Sequence, residues 1–120
     1  MTADLVIFGG ILALPGGQRP GTLVIRDGRI VGVLAPGEQV AAGETLDAKG
    51  LHILPGAIDI HCHIRSPAYP QRGTVESETS AALAGGITTV FEMPITNPCC
   101  NSVERVRLRR DHFAQTARAD

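Results

Sequence analysis

The sequence predicts an α/β chain in two parts: a small β-structure over residues 1–54, then the opening of a parallel α/β fold over 55–120. Three observations predict it. Short apolar runs alternate with glycine turns before Pro55-Gly56. Strand-like and helix-like segments alternate after it. Apolar residues make up 43% of the chain, enough for a folded interior rather than a disordered tail.

In the first part, Leu5–Phe8 and Ile11–Leu14 flank Gly9-Gly10, a two-residue hairpin signal. Pro15-Gly16-Gly17 reads as a turn. Thr22–Arg26 and Arg29–Leu34 flank Asp27-Gly28, where both central residues tolerate positive φ and a type I′ turn is expected. Pro36-Gly37 breaks the chain again. Thr45–Asp47 and Leu51–Leu54 are expected to pair around Gly50. So small a sheet needs its open face covered by something else.

In the second part, Ala57–Ile64 is strand-like, and a loop with Pro67 and Pro70 follows. Thr74 is placed to cap a helix running through Ala84, with Glu76 and Glu78 near its positive end and Gly85-Gly86 at its exit. Ile87–Met93 is β-branched and apolar, a second buried strand. Asn101 or Ser102 caps a last helix to about Arg118, with Val103, Val106, Phe113 and Ala117 at helical spacing. The order β-α-β-α opens a parallel α/β fold.

Charge and composition exclude several function classes. Eleven basic against twelve acidic side chains leave a net charge of −1, which is no footprint for nucleic acid. Aromatics at 3% leave no stacking platform for single strands. Three cysteines suit a reducing, cytoplasmic setting better than a disulfide scaffold. Leu5–Leu14 lacks a basic leader and is split by Gly9-Gly10. It falls far short of the roughly 20 residues that span a bilayer, so no membrane partner is expected.

The chemistry concentrates in Asp59-Ile60-His61-Cys62-His63-Ile64-Arg65. Strand alternation points Asp59, His61 and His63 one way, with Arg65 next in the column. Ile58, Ile60, Cys62 and Ile64 point the other way. A polar column in a buried-type strand needs compensation. A metal supplies it, because neutral imidazoles at i and i+2 can converge on one Zn²⁺. Asp59 is placed to orient or balance that site from behind. Out of context, two such histidines are ordinary strand residues bonded to their neighbours. Here they follow Leu54-Pro55-Gly56 and end a strand, where parallel α/β folds gather ligands.

The segments LPGAIDIHCHIR and AALAGGITTVFEMPITNP resemble the cyclic amidohydrolases: dihydroorotase, allantoinase and hydantoinase, within the metal-dependent amidohydrolase superfamily. The resemblance runs from about Asp4 to the end. It implies that residues 1–54 form the N-terminal part of a small β-domain, and 55–120 the first two β/α units of a TIM (β/α)8 barrel. A full barrel takes about 250 residues, so a truncated front part of a longer enzyme is expected. The resemblance implies a binuclear, usually zinc, centre with His61 and His63 as ligands. It also implies hydrolysis of a small-molecule cyclic amide or ureide, in a homo-oligomer. The family's bridging carboxylated Lys, two further His and proton-shuttling Asp come from later strands. Lys49, the only lysine, and His52 and His112 match none of them, so no catalytic group is expected within this chain.

Arg65 and Asn97 match the dihydroorotase pattern for holding a substrate carboxylate. A guanidinium fork suits a carboxylate, and the amide adds a donor. That favours opening and closing of a dihydropyrimidine ring. The alternatives are an allantoinase- or hydantoinase-type hydrolase, or a non-catalytic scaffold homologue. Ser66-Pro67-Ala68 stands where the pattern has Glu-Pro-Gly, Glu92 where it has Asp, and Ile95 where it has Asn. Cys99-Cys100 read as small loop residues and Cys62 as core. Arg105, Arg107, Arg109 and Arg110 read as a solvated helix face.

Overall fold

A computed structural model describes residues 2–120. The chain divides into two compact units, one ending at Pro55 and one beginning at Gly56.

The first unit is a sheet of five strands: β1 (Ala3–Leu14), β2 (Gly17–Arg26), β3 (Arg29–Leu34), β4 (Ala42–Asp47) and β5 (His52–Ile53). The order is β3-β2-β1-β4, with β5 also on β1. β1, β2 and β3 pair antiparallel in succession. β4 and β5 lie parallel to β1. Ala3, Val6 and Val24 are buried together, with Leu34, Val40 and Ala42 packed against them.

Two expectations for this unit are corrected. Gly9-Gly10 is not a hairpin turn: β1 runs straight through it, and the register on β2 shifts between Ile7 and Gly10. Gly9 holds φ +79°, and a Cβ on Gly10 would stand 2.8 Å from Ile53 Cδ1 and 3.1 Å from Ala48 Cβ. The pair is a bulge under a close approach, which selects glycine as a hairpin does. The hairpin turns at Pro15-Gly16, where Leu14 faces Gly17. Likewise Thr45–Asp47 and Leu51–Leu54 do not pair with each other. A twelve-residue β1 offers one edge to both, and the chain steps from β4 to β5 through a turn closed by Leu51 N–H on Ala48 O at 2.9 Å. The Asp27-Gly28 turn is as expected, with φ of 50° and 67°.

The second unit runs β6 (Ala57–Cys62), a 3₁₀ turn (Pro70–Arg72), α1 (Val75–Ala84), β7 (Ile87–Glu92) and α2 (Val103–Thr116). β6 and β7 are parallel. Thr74 caps α1 reciprocally: its Oγ1 accepts from Ser77 N–H at 3.0 Å while Ser77 Oγ accepts from Thr74 N–H at 2.9 Å. Ser102, not Asn101, caps α2 by accepting from Arg105 N–H at 3.3 Å. Asp120 returns along the other side of β7, donating to Thr88 O at 3.1 Å and accepting from Val90 N–H at 2.7 Å. Thr79 is fully buried. Its hydroxyl donates to Val75 O at 2.7 Å and accepts from Arg118 N–H at 3.0 Å, joining α1 to the segment that follows α2.

Both strands stop sooner than expected, β6 at Cys62 and β7 at Glu92. Beyond them Met93 N–H still donates to Cys62 O at 2.8 Å, but the chains turn away. Ile58 and Ile60 are exposed, at 59% and 72%, while Ile64 in the following loop is buried. On α2, Val103 and Val106 are exposed, and the helix is held by Arg109 and His112 instead. Among the described residues no helix is long and apolar enough to cross a membrane.

Candidate metal centre

The C-terminal ends of β6 and β7 lie side by side, with Cys62 opposite Glu92. His61 is the fifth residue of β6, and His63 is the first beyond it. Both side chains are exposed. Their rings stand edge to face, centroids 5.2 Å apart and planes at 89°. His63 Nδ1 lies 2.7 Å from the Met93 carbonyl oxygen. A carbonyl only accepts, so Nδ1 carries a proton, and in the neutral ring the lone pair is then on Nε2. This is how metal-binding imidazoles are oriented by a group behind them. Asp59 is half-buried, and its Oδ1 accepts from the His61 amide at 2.9 Å. Its carboxylate thus fixes the backbone that carries His61.

Cys62, between the histidines, is half-buried. Burial pushes its thiol up, and the nearby Asp59 and Glu92 carboxylates push it further. No cluster of three or more His, Cys, Asp or Glu able to hold a metal forms among the described residues.

Arg65 and Asn97 are not brought into one hollow. Arg65 lines a hollow of about 290 Å³ with Tyr69, Arg72 and Ile95. Its Nε is buried with no hydrogen-bond partner. Backbone bonds from Tyr69 N–H to Arg65 O and from Arg72 N–H to Tyr69 O, both 3.0 Å, wind these side chains around it. Asn97 is exposed and lines a separate hollow of about 160 Å³ beside Pro67, Thr96 and His112.

Arg109 is the residue that the sequence reading missed. It is not solvated: its side chain is 9% exposed, that of its partner Glu92 11%. The guanidinium binds the Glu92 carboxylate at 2.7 Å, donates to the carbonyls of Ile64 and Ser66, and stacks 4.6 Å from the Phe113 ring centroid. The one sequence signal was Glu92 itself, a carboxylate inside an apolar strand that needs a cation.

Residues 50–120 match the family model of dihydro-orotase-like proteins. The chain belongs to that family. It is 38% identical over 112 residues to a dihydroorotase of Shouchella clausii, covering 93% of this chain and 26% of that one. Its fold superposes with a TM-score of 0.91 on the L-hydantoinase (dihydropyrimidinase) of Arthrobacter aurescens, at 29% identity over 99% of this chain and 27% of that one. An N-acyl-D-glutamate deacylase of Bordetella bronchiseptica, solved with zinc and a phosphonate inhibitor, matches 75% of this chain and 18% of its own at 31% identity and a TM-score of 0.54. The chain thus spans about a quarter of the length of the dihydroorotase it matches. At the end of β6, His61 and His63 bring two imidazoles together, and Nδ1 of His63 is held by the Met93 carbonyl. Two imidazole nitrogens are a donor pair of the kind that suits zinc, which takes four ligands in all.

Proposed function

We propose that these residues supply the opening part of a metal-dependent hydrolase of cyclic amides, dihydroorotase-like in its substrate. In this reading residues 1–54 belong to the small β-domain, and 55–120 are the first two β/α units of a TIM barrel. The observation that carries it is the His63 Nδ1–Met93 hydrogen bond beside the His61 ring, which leaves Nε2 of His63 ready for a metal. When bound, a zinc pair supplies polarisation of the amide carbonyl and a water acidic enough to attack near neutral pH. His61 and His63 hold the metal, and Asp59 keeps the His61 backbone in place. Arg65 supplies a half-buried guanidinium for a substrate carboxylate, supported by its buried, unpartnered Nε.

The test is parallel kinetics of the complete enzyme on dihydroorotate and hydantoin, with metal analysis. Arg65→Met removes charge-assisted bonds worth about 1.5–3 kcal/mol, so kcat/KM for dihydroorotate should fall roughly 10- to 150-fold with metal content unchanged. Turnover of hydantoin, which has no ring carboxylate, should hardly respond.

A second reading, hydrolysis of an uncharged cyclic ureide, is supported by the likeness to an L-hydantoinase and by the separate hollows of Arg65 and Asn97. A wild-type enzyme that ignores dihydroorotate but opens hydantoin establishes it instead.

A further inference from the structure

Arg109 reaches from α2 to both chain segments that carry the candidate centre. Its Nε and Nη2 donate to Glu92 at 3.2 and 2.7 Å, its Nη2 also to Ile64 O, and its Nη1 to Ser66 O. Ile64 follows His63 in the chain, and Glu92 precedes Met93. The fork therefore ties together the immediate neighbours of both partners in the His63–Met93 hydrogen bond. It also holds the carbonyls on either side of Arg65. Phe113, one turn on along α2, backs the guanidinium plane.

We infer that Arg109 is a positioning residue for His63: by tying Ile64 to Glu92 it holds the imidazole against the Met93 carbonyl, keeps the proton on Nδ1 and leaves Nε2 as the free donor. A lone carboxylate–cation contact would not do this. The planar fork bonds the carboxylate and two carbonyls at once, which a lysine ammonium at the end of a flexible stem cannot reproduce. The value of the device to a metal rests on the proposed function; the tautomer itself does not.

The experiment is long-range ¹H–¹⁵N NMR of the full chain without metal, at a pH where histidine is neutral. The wild type should show His63 protonated on Nδ1. Arg109→Met and Arg109→Lys should both lose that tautomer in favour of the Nε2–H form that free histidine prefers, with helix content retained. Arg105→Met on the same helix, which frees Cys99 O and Asn101 Oδ1 in the loop before it, should leave His63 unchanged. In the complete enzyme Arg109→Lys should lower zinc affinity roughly 10- to 100-fold, as losses behind a metal ligand do. Unchanged His63 Nδ1–H in either folded Arg109 variant overturns the inference. So does loss of helix in both, which would make Arg109 a fold-holding residue. A wild-type Nδ1–H without any zinc affinity would leave the inference standing and sink the proposed metal role.

Discussion

The His63 imidazole and the Met93 carbonyl meet at 2.7 Å, thirty residues apart in sequence, where β6 and β7 end together. Register brings them there. Cys62 faces Glu92, and Met93 N–H extends the ladder one step by bonding Cys62 O. The Met93 carbonyl is then left at the strand end, at the height of the His63 ring. A parallel pair one residue out of register would offer the ring a side chain instead of a carbonyl.

Thr79 gives the first stability test. Its hydroxyl is fully buried and serves both Val75 O and Arg118 N–H. Thr79→Val keeps the shape and leaves the Arg118 amide without its acceptor, which costs about 1–3 kcal/mol. Urea unfolding should show the midpoint falling with an unchanged m-value.

Gly9 and Gly16 separate the bulge from the turn. Gly9 sits at φ +79°, and a Cβ there would stand 3.0 Å from Asp47 Oδ1, whereas a Cβ on Gly16 meets nothing within 4 Å. Gly9→Ala should cost about 1–2 kcal/mol from the left-handed backbone alone. Gly16→Ala should be close to neutral. Equal effects in thermal melts would restore the hairpin at Gly9-Gly10.

Those glycines also show where sequence reading reaches its end. The β-α-β-α order and the cap at Thr74 were legible, and the second cap was narrowed to Asn101 or Ser102, because turn and capping chemistry is local. A bulge and a hairpin both ask for glycine, and only the partner strands tell them apart. The pairing of β4 and β5 with β1 was hidden for the same reason. His61 and His63 stood out by spacing, but the hydrogen bond that sets the His63 tautomer did not. Arg109 looked like one more member of an arginine run, because its partners lie 17, 43 and 45 residues away.

The cysteines should differ in reactivity. Burial and the Asp59 and Glu92 carboxylates raise the Cys62 thiol, while Cys99 is exposed. The thiolate is the nucleophile, so at neutral pH Cys62 should alkylate more slowly than Cys99. Its rate should keep rising at a pH where that of an unperturbed thiol has levelled. Mass spectrometry of iodoacetamide labelling across pH measures both. Equal profiles would place Cys62 outside the acidic pair.

Removing Glu92 tests the clamp from its other side. Glu92→Gln keeps the length but takes the charge from a nearly buried pair, 11% and 9% exposed. Charge-assisted bonds of this kind are worth about 1.5–3 kcal/mol. Denaturant unfolding should show a loss of that order, and Arg109→Met in the Glu92→Gln background should cost less than Arg109→Met alone. Additive losses would mean that the two side chains act independently.

In the proposed function His61 and His63 present their nitrogens to one metal ion. Zinc titration of the full chain, followed on the histidine ring nitrogens by ¹H–¹⁵N NMR, tests it most directly. Two protein ligands bind zinc weakly, so excess metal is needed. Nε2 of His63 and one ring nitrogen of His61 should shift together along a single binding curve. His52 and His112 should stay still, and His61→Ala should abolish the His63 shift. Separate curves for His61 and His63, or a response centred on His52 or His112, would contradict it.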